Sequence, residues 1–394
     1  MISSLIDRDM AGYIADLFHY LPVITLTGPR QSGKTTLCRK IFADLPYTNL
    51  EDVSTLTEVR NDPKAFLAKY PQGVIIDEAQ NYPEIFSYLQ VEVDNDRMEG
   101  NSRHFLVTGS NNFSLMQHIT QSMAGRTAVV TLLPLSTREI LSYQGEAGTS
   151  ELLLRGGYPA VWKNDLRGRQ ILLSNYYTTY IERDIRSLIN LKDLQAFQTF
   201  VRLAAGRIGQ EFNASALSIE VGVSVPTVKS WLSVLSASYV VYLLHPYHTN
   251  IGKRLTKTPK LYFYDTGLAA FLLGINSVGQ MDVHPLRGSL LENMVVNDIV
   301  KNGCNQGREE SLFFYRDKSQ REVDVLRVLP DGSLEAYEVK AGMTFNPDYF
   351  KNLRYLQSLL GDRLQRTAVV YDGSQEHQQP IDGYCNFRNL HLEP

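Results

Sequence analysis

The sequence predicts an α/β protein with a parallel sheet in its first third, a helical middle, and a second α/β unit at its end. Between residues 21 and 134, short apolar runs alternate with amphipathic stretches, a pattern typical of βα units. Residues 136–236 carry apolar side chains at helical spacings of three and four. Beyond residue 260, strand-like and helix-like segments alternate again, which indicates a separate α/β unit.

The length of the chain also argues for several domains. A chain of 394 residues is longer than one hydrophobic core usually organises. We therefore predict three domains, at residues 1–135, 136–260 and 261–394. The balance of 42 acidic against 39 basic residues gives a net charge of −3, and this overall charge favours no class of partner.

The cysteines and the start of the chain predict a cytoplasmic protein without a membrane partner. The three cysteines are too few and too scattered for a zinc site or a disulfide framework. They are Cys38, Cys304 and Cys385. Asp7, Arg8 and Asp9 lie where a signal peptide would be apolar. No apolar run reaches the roughly 18 residues that span a bilayer.

The strongest motif is GPRQSGKTT, which follows the apolar run VITLT and precedes a helical pattern. It matches G-x-x-x-x-G-K-[ST], the phosphate-binding loop of ATP- and GTP-binding proteins. The two glycines allow the backbone N–H groups to point at phosphate oxygens, Lys34 is expected to meet the β and γ phosphates, and Thr35 to bind Mg²⁺. The predicted nucleotide contacts are Gly28, Pro29, Arg30, Gln31, Ser32, Gly33, Lys34, Thr35 and Thr36.

A second apolar run lies in VIIDEA and is followed by two acidic residues, Asp77 and Glu78. Asp77 is expected to hold the metal ion, directly or through water, and Glu78 to act as the general base that activates the attacking water. The alternative is that these acids only cap the end of a strand. The phosphate-binding loop earlier in the chain favours the catalytic interpretation.

Two further features lie near the expected γ phosphate. Ser110 and Asn111 follow the strand-like HFLVT, a position where many such ATPases carry a residue that senses this phosphate. A polar loop is the alternative, because Ser and Asn suit turns. Arg126 precedes another apolar run and is a candidate to stabilise phosphate charge, in its own chain or in a neighbouring subunit of a homo-oligomer. An ordinary surface arginine is the alternative here.

The helical middle contains a basic region and a helix-turn-helix pattern. Residues 201–262 have a local net charge of +5. Their basic residues are Arg202, Arg207, Lys229, Lys253, Arg254, Lys257 and Lys260. A turn at Gly222 separates two helical patterns, and Ser224 with Pro226 marks the start of the second.

The segment after the second helix suggests the wing of a winged helix, with Lys260 and the three preceding basic residues at or near its tip. The second helix would then place Ser224, Thr227, Lys229 and Ser230 against DNA. The predicted DNA-binding region extends to Lys260. Winged helices also serve as protein-interaction and lid modules, and that alternative stays open.

The C-terminal unit contains acids in a pattern that suggests nuclease chemistry. Alternation along two predicted strands puts Asp324 on one face of its strand, and Glu338 with Lys340 on one face of the next. Together with Glu292 from a predicted helix, Asp324 and Glu338 would bind Mg²⁺ or Mn²⁺. Lys340 would orient or deprotonate the attacking water. The order resembles the restriction-endonuclease-like PD-(D/E)xK fold, with Val323 in place of the usual proline. Exposed charge pairs, or a fold whose catalysis was lost, are the alternatives.

The motifs taken together extend the resemblance over nearly the whole chain. They are GPRQSGKTTL, VIIDEAQ, VTGSNN, AGRTAVVTLLPLSTRE, YYTTYIERDI, PKLYFYDTGLAAFLLG, GSLLENMVVNDIV and REVDVL with EVKAG. This order resembles a widespread prokaryotic family of AAA-type ATPases with a C-terminal domain of unknown function. The resemblance implies an AAA-like core, a winged-helix linker and a restriction-endonuclease-like end.

These sites support two functional hypotheses. The first is an ATP-dependent DNA-processing protein in which nucleotide binding repositions the winged helix and a metal-dependent nuclease-like domain. The second is a nucleotide switch that regulates protein partners, with the C-terminal domain as an inactive scaffold.

Overall fold

The protein is described from a computed structural model, in which the described residues are 5–109, 116, 118–119, 122–184, 193–247 and 258–392. The chain forms two compact units. The first comprises Met1–Pro134, Ala237–Tyr239 and Cys304–Arg308, and the second comprises Leu135–Ser236, Val240–Gly303 and Glu309–Pro394.

The first unit is built on a parallel sheet, as the sequence predicted. Its strands are β1 (Val23–Thr27), β2 (Tyr47–Asn49), β3 (Gly73–Asp77), β4 (His104–Thr108) and β5 (Thr127–Thr131). They lie side by side in the order β2, β3, β4, β1, β5, and every neighbouring pair is parallel. The carboxyl ends of these strands therefore meet at one edge of the sheet, where open α/β sheets bind ligands.

Helices cover both faces of this sheet. They are α1 (Ala11–Leu17), α2 (Lys34–Ile41), α3 (Val53–Asn61), α4 (Pro63–Ala68) and α5 (Ile85–Glu99). Alternate strand residues enter two separate apolar clusters, with Val23 in one and Ile24 in the other. The first cluster is completed by side chains of α3, α4 and α5, and the second by those of α1 and α2. Burial on both faces explains why these strands are almost continuously apolar in sequence.

The second unit begins with helices and ends in a mixed sheet. From residue 135 onward the α-helices are α6 (Thr137–Gln144), α7 (Thr149–Arg155), α8 (Pro159–Trp162), α9 (Leu166–Tyr176), α10 (Leu194–Ala205), α11 (Ala214–Val221), α12 (Val225–Ala237), α13 (Thr266–Leu272), α14 (Val278–Val283), α15 (Arg287–Asn305) and α16 (Lys351–Leu360). A π-helix, Tyr177–Asp184, continues α9. None of the helices in the described residues is long and apolar enough to cross a membrane.

The sheet of the second unit combines parallel and antiparallel pairs. Its strands are β6 (Val241–Pro246), β7 (Lys260–Phe263), β8 (Ser311–Arg316), β9 (Glu322–Val328), β10 (Leu334–Lys340), β11 (Leu364–Tyr371) and β12 (Gly383–Asn386). The order across the sheet is β12, β11, β10, β9, β8, β6, β7. The α/β class predicted for this end of the chain is confirmed.

The predicted helix-turn-helix is present as α11 and α12. Gly222 ends α11 in a left-handed conformation with φ of +78°, which glycine adopts without steric cost. The Ser224 hydroxyl then accepts a hydrogen bond from the Thr227 N–H at 3.2 Å, as the cap of a helix start.

The predicted wing differs from expectation at Lys260. Strands β6 and β7 form an antiparallel hairpin, but β6 also pairs with β8 and so joins the hairpin to the C-terminal sheet. Lys260, expected near a wing tip against DNA, is instead only 3% exposed and is ion-paired with Glu292. That placement was wrong because neighbouring carboxylates, absent from the local sequence, hold the lysine inside. Lys253, Arg254 and Lys257 lie outside the described residues.

A buried aspartate connects two segments of the second unit. The Asp265 carboxylate accepts hydrogen bonds from the Leu268 N–H at 2.7 Å and from the Gly157 N–H at 2.6 Å. The first bond caps α13, and the second fixes the turn after α7. Asp265 is 2% exposed, so water cannot replace either bond without a rearrangement.

We predict that Asp265→Ala lowers the free energy of unfolding by about 2–4 kcal/mol, because two buried N–H groups lose their acceptor. Urea unfolding followed by circular dichroism would measure the change.

The control for this variant is Asp193→Ala at the start of α10. Asp193 is exposed and caps one N–H, that of Ala196, so its loss should cost about 1 kcal/mol. If both variants lowered the free energy of unfolding equally, the hydrogen bond between Asp265 and the Gly157 N–H would not have the stabilising role given to it here.

Candidate functional site

The loop between β1 and α2 has the backbone that phosphate binding requires. Gly28, Gln31 and Gly33 have positive φ values of +136°, +63° and +95°. A Cβ atom on Gly28 would lie 2.3 Å from the carbonyl oxygen of Leu132. Glycine is therefore required at this position by conformation and by space, and successive N–H groups of such a loop can face an anion.

The Lys34 side chain lies inside this loop. Its Nζ donates hydrogen bonds to the carbonyl oxygens of Gly28 at 3.1 Å and Pro29 at 2.8 Å, and the residue is buried. Burial lowers the pKa of Lys34 to about 8, although the nearby carboxylates of Glu78 and Asp77 act to raise it. The lysine is thus placed to interact with phosphates held by the loop.

Asp77 is the centre of the site. Its Oδ2 accepts hydrogen bonds from the Thr35 hydroxyl at 2.6 Å and the Tyr47 hydroxyl at 2.9 Å. Its Oδ1 accepts from the Thr108 hydroxyl and from the Glu78 N–H. Four donors from α2, β2, β4 and the turn after β3 therefore hold one carboxylate. Two of them, Tyr47 and Thr108, were not recognised in the sequence.

The Thr35 and Asp77 oxygens fit a magnesium ion. Mg²⁺ prefers oxygen ligands, keeps several waters and usually shares its site with substrate phosphates. The two side chains lie side by side next to the phosphate-binding loop. Within the described ranges no group of three or more His, Cys, Asp or Glu side chains is placed to hold a metal ion, so phosphate oxygens and water would complete the coordination.

Glu78 lies directly after Asp77 in an unusual conformation. Its φ is +54°, which is uncommon for a residue with a side chain and often occurs at functional sites. The Gln80 amide donates a hydrogen bond to Glu78 Oε2. The turn after β3 therefore fixes the backbone of the predicted base, and Gln80 orients its carboxylate.

Arg8 supports the loop from outside the motif. Its guanidinium donates hydrogen bonds to the carbonyl oxygens of Ser32 at 2.8 Å and Leu133 at 2.7 Å.

The other predicted nucleotide contacts in the loop differ in exposure. Pro29 and Ser32 are buried, Arg30 is half-buried, and Gln31 and Thr36 are exposed.

Three predicted nucleotide contacts lie outside the phosphate-binding loop. Ser110 and Asn111 are outside the described residues. The Arg126 guanidinium donates to both carboxylate oxygens of Asp94 on α5, each at 2.8 Å, and to the Ala124 carbonyl oxygen. The structure therefore shows Arg126 bound to α5, and its role at the γ phosphate stays a prediction.

The structure brings the predicted C-terminal acids together. Asp324 Oδ2 accepts a hydrogen bond from the Val339 N–H at 2.8 Å, which joins β9 to β10. Lys340 Nζ lies 2.6 Å from Glu338 Oε1. Burial and the charge of Asp324 raise the pKa of Glu292 to about 7 and that of Glu338 to about 8. The acids on α15, β9 and β10 thus form one cluster.

Lys260 belongs to the same cluster. Its Nζ lies 2.9 Å from Glu292 Oε1, 2.6 Å from Glu322 Oε1 and 3.9 Å from Asp324 Oδ1. Burial opposes the charge, yet the carboxylates raise the pKa of Lys260 above its usual value. A permanent ammonium group among these oxygens does not fit the coordination of a divalent metal ion, because like charges repel.

We predict that Gly28→Ala weakens nucleotide binding at least about tenfold, because the added Cβ would displace the loop from Leu132 and a φ of +136° strains alanine. Titration with a fluorescent ATP analogue would measure the dissociation constant.

Gly12→Ala is the matched control. A Cβ on Gly12, within α1, would have open space around it, and alanine favours a helix. Nucleotide affinity should be unchanged in this variant. An unchanged affinity in Gly28→Ala would show that the loop tolerates the side chain.

Comparison with protein families divides the chain into three segments. Residues 21–141 match the family described as AAA domain. Residues 147–278 match a Domain of unknown function (DUF8612), and residues 287–389 match a Domain of unknown function (DUF4143). The AAA match contains the whole phosphate-binding loop and the Asp77 site.

The chain also resembles individual proteins. The solved Walker-type ATPase of Pyrococcus abyssi superposes with a TM-score of 0.43 and 14% identity, over 68% of this chain and 96% of that one. An Uncharacterized protein of Haemophilus influenzae is 23% identical over 77% of this chain and 80% of its own length. Uncharacterized protein Rv2008c of Mycobacterium tuberculosis is 31% identical over 386 residues, which cover 95% of this chain and 81% of the relative. The chain therefore belongs to the same family as this mycobacterial protein, and its residues 21–141 form an AAA domain.

Proposed function

We propose that this protein hydrolyses ATP in a Mg²⁺-dependent reaction. The observation that carries the proposal is the bond between the Thr35 hydroxyl and the Asp77 carboxylate, 2.6 Å long, beside a glycine loop that contains Lys34. An anion cradle, a lysine and a pair of oxygen ligands are the parts that phosphoryl transfer from ATP requires.

Each residue has a distinct part in the proposed reaction. The loop N–H groups and the Lys34 ammonium bind the β and γ phosphates and stabilise their charge. Mg²⁺, when bound near Thr35 and Asp77, neutralises further charge on the phosphate oxygens. Glu78 accepts a proton from the water that attacks the γ phosphorus, while the bond to the ADP oxygen breaks.

Asp77 acts mainly by holding other groups in position. Both of its oxygens already accept two hydrogen bonds each. Asp77 would therefore hold Mg²⁺ through a bound water, and Thr35 would be the residue that binds the ion directly.

We further propose that α11 and α12 bind DNA. Ser224, Lys229 and Ser230 are exposed and Thr227 is half-buried, so these side chains are available at and after the start of the second helix. Arg207 is ion-paired with Glu220 and contributes less to a basic surface. Lys229 is the residue of α12 best suited to meet a phosphate.

Metal-dependent cleavage by the C-terminal cluster is less favoured than ATP hydrolysis and DNA binding. A restriction-endonuclease-like arrangement is supported by the cluster that contains Glu292, Asp324, Glu338 and Lys340. Against it, the Lys260 ammonium lies among the oxygens that would bind the metal ion. The position of Lys260 favours the alternative in which a nucleotide switch regulates protein partners and the C-terminal domain is an inactive scaffold. In either case a homo-oligomer would allow Arg126 to act on a neighbour's nucleotide.

We predict that Glu78→Gln lowers the rate of ATP hydrolysis about 100-fold or more, because an amide cannot accept the proton. A phosphate-release assay would measure the rate, and the affinity for the fluorescent ATP analogue should be retained.

Glu84→Gln makes the same chemical change at an exposed position a few residues later, and it should hydrolyse ATP at the wild-type rate. Wild-type activity in Glu78→Gln would exclude this residue as the base. Equal losses in both variants would point to damage to the turn after β3.

We predict that Lys229→Glu weakens DNA binding about tenfold at low salt, because it removes a phosphate contact and adds a repulsive charge. Fluorescence anisotropy of a labelled duplex, at two salt concentrations, would show a lower affinity and a shallower salt dependence.

Lys64→Glu carries the same charge change on the exposed face of α4 and should bind DNA as the wild type does. Failure of the wild type to bind DNA at low salt would favour a protein partner for α11 and α12 instead.

A further inference from the structure

We propose that Lys260 takes the place of a divalent metal ion in the C-terminal acid cluster, so that the cluster binds no metal ion while Lys260 is present. The cluster is defined as Glu292, Glu322, Asp324 and Glu338 together with Lys260. Its similarity to a nuclease site then lies in the arrangement of its acids, and the cation is a side chain of the protein itself.

The position of the ammonium group carries this proposal. Lys260 Nζ lies 2.9 Å from an oxygen of Glu292 and 3.9 Å from an oxygen of Asp324, two of the predicted metal ligands. It also lies 2.6 Å from Glu322 Oε1. One ammonium thus contacts acids on α15 and β9, the same elements that a metal ion in this cluster would join.

The backbone keeps Lys260 in this position. In β7, Lys260 pairs with Leu244 of β6 on one side and forms a bridge with Glu211 on the other. Its ammonium lies 5.4 Å from the centre of the Phe314 ring, a favourable distance for a cation and an aromatic face. The strand therefore fixes the Cα of Lys260 beside the cluster, and the aromatic ring favours the position of its ammonium group.

One oxygen of each predicted metal ligand also accepts a hydrogen bond from within the protein, whereas Glu338 Oε2 is buried and has no hydrogen-bond partner among the described residues. Glu292 Oε1 accepts a hydrogen bond from the Tyr262 hydroxyl at 2.5 Å in addition to its contact with Lys260. Asp324 Oδ2 accepts from the Val339 N–H, and Glu338 Oε1 from Lys340. Each of the three predicted metal ligands therefore has an internal donor already.

The charge balance of the cluster depends on Lys260. Three carboxylates lie close to its ammonium, whereas Lys340 and Arg316 lie at the edges of the cluster, against Glu338 and Glu322. Loss of the Lys260 ammonium would leave buried carboxylates without their central cation, which is unfavourable unless they bind protons or another cation. Removal of Lys260 should therefore create a metal site.

The test is a titration of the full-length chain with MnCl₂ in the absence of nucleotide. Isothermal titration calorimetry measures the number of sites and their affinity, and electron paramagnetic resonance measures the concentration of free Mn²⁺. In wild type and Asp324→Asn we expect the same Mn²⁺ binding, because Asp324 holds no metal ion while Lys260 is present. In Lys260→Met we expect one additional Mn²⁺ per chain, bound at least about tenfold more tightly than any in wild type. The double variant Lys260→Met/Asp324→Asn should lose this site.

Lys340→Met is the matched control, because it removes a lysine from the same cluster but leaves Lys260 in place. It should gain no Mn²⁺ site. A wild-type Mn²⁺ site that disappears in Asp324→Asn would overturn the proposal, and this comparison holds even if Lys260→Met does not fold. A well-folded Lys260→Met that binds no additional Mn²⁺ would also overturn it.

The outcome is independent of ATP hydrolysis, since no nucleotide is present and Glu78 is unchanged in every variant. A wild-type protein without ATPase activity would refute only the proposed function. A contrary result in the Mn²⁺ titrations would refute only the assignment of Lys260.

Discussion

The nucleotide site depends on the hydrogen bonds that the Asp77 carboxylate accepts. This carboxylate accepts hydrogen bonds from Thr35, Tyr47, Thr108 and the Glu78 N–H, and these residues come from separate segments of the first unit. A carboxylate with four donors has a fixed orientation and needs no ordering when a ligand binds. The position of the Thr35 hydroxyl, and of the turn that carries Glu78, depends on it.

The two acidic centres of the chain differ in the donors that surround their carboxylates. Asp77 accepts its hydrogen bonds from neutral groups, which stabilise the carboxylate without cancelling its charge, as the proposed Mg²⁺ site requires. The C-terminal cluster is held by the ammonium of Lys260, which cancels part of the charge. The same residue types, aspartate and glutamate, therefore serve a proposed metal site in one unit and a structural ion pair in the other.

The sequence predicted those features that depend on local constraints. The glycine loop, the apolar strands β1, β3 and β4 and the alternation in β9 and β10 are visible because each is encoded by adjacent residues. Tyr47 was missed because β2 has three residues without an apolar run. Lys260 was misassigned because its partners, Glu292 and Glu322, lie at least 30 residues away in sequence and meet it only when β7 pairs with β6. Arg8 likewise contacts Leu133 across 125 positions.

An ion pair built from side chains has a consequence for assembly of the C-terminal sheet. A metal ion must be taken from the surrounding solution and can be removed by chelators or by competition from other metals. Lys260 is part of the polypeptide, and the backbone of β7 holds it beside the cluster. The proposed role of Lys260 thus implies that the sheet of the second unit folds without a supply of divalent ions, and that changes in metal concentration leave this fold intact.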